Sequence, residues 1–430
     1  RDDVTSISMV GIGDLDGDGV YDFVVKHPGG GKDPGRTSVS RDTYKFDGYN
    51  GKTGAFLWRI DLGWNVDMGI WWTPMVVRDL DGDNTGNRAS RHLLGTAFLD
   101  GKTPAVLVVR GTYGLMKIDA WTLENKKLKK LWRWTNERAP FLFHGQGAHG
   151  LQVGDVDGDG KDEIFNGAIA ISHDGRSRWS TGLGHGDRMY LTDIDPTRPG
   201  LEIAYICEDA QPQLGVNLRD ARTGDMLWGA REPHLDNAID QVAVGDIDPR
   251  YPGMEVWINK GLKQLFYTAK GEPIPGPVPS TSELVWWDAD LLREQLSSGG
   301  FGGGGRSGRG GRGGPGVGAP GTVAAAPPPN APTAPPASTG RSVGKWKNGA
   351  LQPITMGIQG QVHQIADILG DWREEIVTFT NGELRIYSTT IPAIDRRVCL
   401  MQDPIYRHDV THRTMGYTHV PQVSYYLGEK

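Results

Sequence analysis

The chain has 430 residues, of which 42, at 299–340, form one tract of low complexity, leaving 388 to fold. Hydrophobic residues make up 37% and aromatics 9%, enough to build a core, so general disorder is excluded. The net charge of −6 leaves no general basic footprint for nucleic acid, and no apolar run approaches the ~18 residues of a membrane helix.

An acidic, glycine-containing turn recurs along the chain. It reads Gly13-Asp-Leu-Asp-Gly-Asp-Gly19, followed by Tyr-Asp-Phe-Val-Val25, and returns as Arg78-Asp-Leu-Asp-Gly-Asp83 and as Gly154-Asp-Val-Asp-Gly-Asp-Gly160. Degenerate copies follow at Asp193, Asp246 and Asp367. A second repeat interleaves with it, an apolar or basic residue followed by tryptophan, at Trp58, Trp132, Trp179 and Trp228. Short strands at this spacing, with almost no 3.6-residue period, predict an all-β fold built as a β-propeller. At ~48 residues per blade, 388 residues give an eight-bladed propeller. A set of β-sandwiches is the alternative, disfavoured because one signature runs from residue 14 to 375 without a domain-sized gap. A short helix is predicted at Asp288–Leu296. The tract at 299–340 holds 15 Gly and 8 Pro with Arg306, Arg309 and Arg312, and reads as a flexible insert within a single propeller domain at 1–430.

Asp14, Asp16, Asp18 and Asp22 stand at alternating positions of a tight loop, where convergent carboxylates repel unless a cation sits among them. Asp155, Asp157, Asp159 and Glu163 repeat the pattern. Both turns are expected to bind Ca²⁺ in a structural role. The copy at Asp79, Asp81 and Asp83 lacks clear later ligands. Those at 193 and 246 replace the central glycine by proline and are expected to keep the turn without a metal.

Two segments look unlike scaffold: His144-Gly-Gln-Gly-Ala-His149 and Gly182-Leu-Gly-His185-Gly-Asp187, with Glu208 one blade later. His149, His185, Asp187 and Glu208 could meet around one ion, and their imidazoles suit a transition metal better than Ca²⁺. Alternatively, these histidines hydrogen-bond the backbones of turns. Two cysteines, Cys207 and Cys399, cannot form a disulfide framework.

Several runs together resemble rhamnogalacturonan lyases of polysaccharide lyase family eleven. They are Val10–Lys26, Leu57–Gly63, His144–Asp159, Ser180–Asp187, Trp286–Glu294, Gly370–Glu375, Leu384–Pro392, Asp403–Arg407 and Tyr426–Gly428. The resemblance implies an eight-bladed propeller with bound calcium and β-elimination between rhamnose and galacturonate. It also implies that His149, His185, Asp187 and Glu208 ligate a calcium at the substrate cleft, and that Tyr417 contacts rhamnose. The chain departs from the family at Met356-Gly-Ile-Gln-Gly-Gln361, where a lysine is missing, and at Gln241, which stands for an arginine. A base other than that lysine is therefore expected, from His363, His419, His144 or Tyr417, with His363 nearest in sequence. Tyr417, His144, Gln359 and Gln241 are the expected substrate contacts. The expected partner is an acidic polysaccharide, the expected state a monomer, and the expected location secreted or periplasmic. The alternatives are a calcium-dependent carbohydrate-binding propeller without catalysis and a structural or adhesion propeller.

Overall fold

Each acidic turn that the structure describes is a hairpin between the first and second strands of an antiparallel sheet. In the first blade the turn joins Met9–Gly13 to Asp22–His27, in register from Met9 against Lys26 to Gly13 against Asp22. The structure, a computed structural model, describes residues 3–16, 18–29, 42–63, 66, 92–112, 115–207, 215–230, 242–260, 263–279, 283–297, 340–380, 382–415 and 419–428.

Seven sheets occur among these residues, each a meander with its strands in sequence order. They are blade I (9–61), blade II (92–135), blade III (152–180), blade IV (189–230), blade V (243–267), blade VI (284–358) and blade VII (361–387). Blades V and VII have three strands and the others four. The fold is an all-β propeller, with seven blades described rather than the eight expected. The division by a uniform blade length fails because blade V closes within 243–267, while blade VI runs from 284 to 358 around the low-complexity tract. The turn at Asp79, Asp81 and Asp83 and residues 298–339 lie outside the described residues.

The acid that opens the second strand explains why the turn recurs even where glycines are lost. Glu202 accepts from the backbone N–H of Ile194 (2.9 Å) and Asp195 (3.1 Å), and Glu255 accepts from Ile247 (2.9 Å) and Asp248 (3.1 Å). Glu375 does the same for Ile368 and Leu369 in blade VII. These carboxylates are almost wholly buried, so the paired N–H donors offset their desolvation. Glu294 plays this part in blade VI, taking Trp287 and Asp288. Asp288–Leu296 is therefore another acidic turn leading into the strand Glu294–Leu296, not a helix. Its missing glycine hid the repeat.

Three of the tryptophans latch their blade to the next. Trp132, Trp179 and Trp228 donate from Nε1 to the carbonyls of His173 (2.9 Å), Ala221 (3.1 Å) and Ala269 (2.9 Å), each in a hairpin one blade on. Each indole lies flat on a glycine there, Gly175, Gly224 or Gly271, where a Cβ would come within 2.7 Å of the ring. Trp58 instead covers Gly48 of its own blade.

The axis is filled by the C-terminal segment. Its core is the α-helix Pro404–His412, α1, capped by Asp403, whose side chain accepts from the Tyr406 N–H (3.0 Å). Ile405, Tyr406, His408, Asp409, Val410 and His412 are all buried, and three of these are polar, so no apolar stripe betrays the helix in the sequence. Its first turn reaches the acidic-turn face of blade VII, where the Tyr406 hydroxyl donates to Glu374 (2.7 Å) and accepts from the Asp367 N–H (2.9 Å). Its last turn lies where the innermost strands begin: His408 and His412 hold the carbonyl and N–H of Leu151 at 2.7 and 3.0 Å. The chain then returns down the axis. His419 and Gln422 meet Asp409, Pro421 accepts from Arg293 in blade VI, and Val423 accepts from Thr192 in blade IV (2.7 Å). Asp409 is the centre of this packing, with Gln152 Nε2 at 2.9 Å, the Gln422 N–H at 2.9 Å and His419 Nε2 at 3.1 Å. Asp409→Ala leaves these buried groups unpaired, and urea titration is expected to show a loss of about 3 kcal/mol.

Candidate functional site at the mouth of the axis

The glycine-rich segments lead into the innermost strands of blades III and IV, and their glycines are required by close approach. A Cβ on Gly186 would lie 1.8 Å from the Ile206 carbonyl oxygen, and one on Gly150 would lie 2.7 Å from the His412 ring. The two segments run side by side through a parallel bridge between Ala148 and Gly186. Asn166 ties the first in place, accepting from the Ala148 N–H (3.1 Å) and donating to Gly150 O (3.0 Å). Tyr205 fixes the second, its hydroxyl donating to Gly184 O (2.9 Å).

This pairing brings His149, His185 and Asp187 together in a buried cluster. One ligand atom from each lies within 4.8 Å of the others. His149 Nε2 is 2.9 Å and His185 Nε2 3.7 Å from Asp187 Oδ1, and the two rings meet edge to face at 4.6 Å. His185 Nδ1 lies 2.6 Å from Gly147 O, a contact in which the nitrogen donates. That leaves Nε2 as the basic atom facing Asp187, the orientation a metal ligand needs. Burial would raise the pKa of Asp187, but the His149 and His185 imidazoles beside it outweigh this and hold the carboxyl well below its usual range. The group stays an anion, and two imidazole nitrogens with one carboxylate make a donor set that fits a divalent cation. Glu208 lies outside the described residues, as do Gln241 and Tyr417.

The same mouth collects other candidates. His363 is buried at the start of blade VII. Burial and the Arg413 charge bring its pKa down to about 4 against an opposing backbone hydrogen bond at Ser8, and its Nε2 has no hydrogen-bond partner among the described residues. His419 is engaged by Asp409 and Gln152 and stacks on Tyr190 at 4.4 Å. His144 is exposed and stacks on Phe141 at 5.6 Å. Gln359 is exposed between blades VI and VII and accepts from Arg385 (2.6 Å).

Sequence reasoning missed a set of basic groups here. Arg188 directly follows Asp187, and Arg413 caps the end of α1. Arg413 and Arg341 both bind Glu283, at 3.0 and 2.5 Å. Nothing in the local sequence marks these residues, because 188, 283, 341 and 413 meet only through the closure of the ring.

The acidic turns lie at the opposite ends of the innermost strands, away from the mouth. Asp14, Asp16 and Asp18 converge, as do Asp155, Asp157 and Glu163. Asp22 turns instead to the backbone N–H groups of Leu15 and Gly51, both at 2.8 Å, and Asp159 to that of Lys161 (2.8 Å). Arg178 reaches Asp157 (2.8 Å) and Glu163 (3.2 Å). In blade VI the Lys345 ammonium sits among Asp288, Asp290 and Glu294, the last at 3.5 Å.

The profile of the family described as "Rhamnogalacturonan lyase family 11, C-terminal domain" matches residues 5–85, 82–301 and 354–430. The chain belongs to this family. Rhamnogalacturonan endolyase YesW of Bacillus subtilis (strain 168) is 34% identical over 503 residues, covering 99% of this chain and 74% of the relative. Rhamnogalacturonan exolyase YesX of the same organism is 33% identical over 518 residues, covering 98% and 78%. The crystal structure of YesW superposes with a TM-score of 0.80 at 32% identity, over 98% of this chain and 78% of that one. A Bacillus licheniformis rhamnogalacturonan lyase gives 0.78 at 31% identity, over 99% and 78%. As a member of this family the chain is a polysaccharide lyase, and the reading without catalysis is not favoured.

Acid titration reports on the mouth. The unfolded His363 imidazole titrates near 6.5 and the folded one near 4, so the unfolded chain holds more protons in between. Stability contributed by this group is full above pH 6.5 and is lost as the pH falls towards 4. Urea titrations at pH 7 and pH 4.5 are expected to show that His363→Gln reduces this acid loss by about 2 kcal/mol.

Proposed function

We propose that the protein cleaves a rhamnose- and uronate-containing polysaccharide by β-elimination at the mouth of the propeller axis. The observation that carries this reading is the convergence of His149, His185 and Asp187 in a chain of the rhamnogalacturonan lyase family. Glu208 is taken as a fourth ligand and Ca²⁺ as the ion. Bound there, the ion would neutralise the uronate carboxylate and so favour loss of the neighbouring proton.

The residues of the chain supply the rest. His363 is the proposed base. Its Nε2 lone pair is unengaged by the described residues, and its lowered pKa keeps it neutral throughout the neutral range. It takes the C5 proton, the C4–C5 double bond forms, and the glycosidic oxygen leaves C4 and is protonated. His419 is already engaged by Asp409 and Gln152, and we assign it to holding the axis. Tyr417, His144, Gln359 and Gln241 are proposed as sugar contacts. His144 and Gln359 are both exposed, and His144 lies on the same segment as His149.

The two converging aspartate turns are proposed as structural calcium sites, stapling blades I and III on the far face. We read 1–430 as one propeller with an insert at 299–340, acting as a monomer. A secreted or periplasmic location is supported by the size of a polymer substrate.

Incubation with rhamnogalacturonan is expected to raise unsaturated-uronate absorbance, and no signal with any acidic polymer would overturn the reading. Chelation should abolish this signal and added Ca²⁺ restore it. Asp187→Asn is expected to lower kcat/KM at least a hundredfold, on the order of what loss of a metal ligand costs. His363→Gln should lower kcat by a similar factor with KM little changed.

A further inference from the structure

The segment at 136–151 crosses the mouth face from rim to axis. It runs from the outermost strand of blade II, Lys127–Thr135, to the innermost strand of blade III, Gln152–Gly154. Phe141 stands on this segment, ahead of His149. It is 88% exposed, whereas Phe56, the next most exposed of the described phenylalanines, tyrosines and tryptophans, is 39% exposed. The His144 ring stacks on Phe141, with centroids 5.6 Å and planes 19° apart. The backbone beneath the two rings is pinned. The Phe143 N–H donates to Pro140 O (2.9 Å) and the His144 N–H to Phe141 O (3.0 Å). Phe143 points the other way and is buried against Trp134, ring centroids 6.2 Å apart.

The turn is also tied to the segment that carries His185. Ser180 Oγ donates to Leu142 O (2.7 Å), and a Cβ on Gly182 would lie 2.7 Å from Leu142 Cδ1. Gln146 Nε2 donates to His144 O (2.9 Å), while its Oε1 accepts from the Gly184 N–H (2.9 Å). A single exposed apolar side chain needs no explanation. This ring differs in being held by a rigid turn, beside a second ring, on the path that leads to the cluster. Its ordering precedes binding, so little is lost when a ligand covers it. The chemistry of that ligand follows from the ring. A pyranose has a face of C–H bonds and carries its hydroxyls at the edge. Laid on an aromatic face, it buries the C–H face and keeps the hydroxyls in water. That face of the ring is electron-rich, which disfavours a uronate and suits a neutral sugar, above all a 6-deoxy sugar with its apolar methyl.

We propose that Phe141, flanked by His144, is a sugar-stacking platform that holds a neutral sugar of the polymer out towards the rim while a uronate occupies the cluster. This rests on the proposed function and deepens it. The polymer lies along the segment from Phe141 to His149. Rim and cluster then recognise different sugars of one chain, the first by an apolar face and the second by charge. Two anchors on one rigid segment fix the register of a polymer built from both kinds of sugar, and they favour long chains over short ones.

The test compares the whole chain and its variants on rhamnogalacturonan oligosaccharides of defined, increasing length and on the polymer. KM is read from cleavage or, should none occur, Kd from calorimetry. In the wild type KM is expected to fall with length until a chain reaches from cluster to rim, and then to level. Phe141→Ala should remove that gain, raising KM for the polymer on the order of tenfold with kcat little changed. Phe141→Tyr keeps the ring and should keep the gain, whereas Phe141→Leu keeps apolar bulk and should lose it. A KM raised alike for every length would make the residue merely structural and overturn the proposal. So would a polymer KM indifferent to Phe141→Ala. If that variant instead lost a self-association seen by sedimentation, with polymer KM unaltered, the ring would belong to a contact between copies and the platform would fall. The side chain is exposed, so its replacement leaves the core intact, and thermal melting checks that each variant folds. If nothing is cleaved but Kd shows this dependence on length and on Phe141, the lyase reading fails and the platform stands. If cleavage proceeds without that dependence, the platform fails alone, and a wild type that neither cleaves nor binds removes both.

Discussion

A buried carboxylate on the axis holds this propeller together. Asp409 takes hydrogen bonds from Gln152 of blade III, from the backbone at Gln422 and from His419. Around it, α1 and the returning strand contact the inner edges of blades II to VII: Leu94, Leu151, Thr192, Val244, Arg293 and Gln364 all find partners in residues 404–423. The ring is therefore packed from within by a segment distant in sequence. Its polar groups bond to one blade after another, which specifies a single arrangement of the blades more strictly than apolar packing would.

That plug also creates the site. Because α1 runs from the acidic-turn face towards the starts of the innermost strands, its last turn brings His412 and Arg413 to the place where the segments of His149 and His185 enter their blades. The turns with converging aspartates are left on the far side. Rigid blades carry the metal-type cluster on short, glycine-rich lead-ins, and the axis segment supplies basic groups from below. One face of the scaffold gathers the acidic turns and the other the cluster of His149, His185 and Asp187, on loops of the kind that commonly carry function on a rigid frame.

Much of this was legible in the chain. The acidic turns and the tryptophans gave the repeat, and each proved to have a mechanical cause: a carboxylate gripping the N–H groups of its own turn, and an indole lying on the next blade's glycine. His149, His185 and Asp187 could be grouped because both segments precede inner strands and neighbouring blades place such segments side by side. The helix was misplaced because Asp288–Leu296 has helix-like composition but folds as a turn, while α1 carries three polar residues, His408, Asp409 and His412, on its buried side. Blade number could not follow from length, since blade size varies twofold or more once the tract is included. The arginine cluster was invisible, because four residues spread over 226 positions meet only when the ring is closed.

Lys345 gives the sixth blade a different standing from the first. Its ammonium lies where the acidic turn gathers Asp288, Asp290 and Glu294, and it is bonded to the chain. A tethered counter-ion has a fixed local abundance, whatever the surrounding medium contains. This sector cannot be emptied by a sequestering agent or a calcium-poor habitat. Were the turn of the first blade to hold the proposed calcium, ion scarcity would loosen that sector and leave this one unchanged.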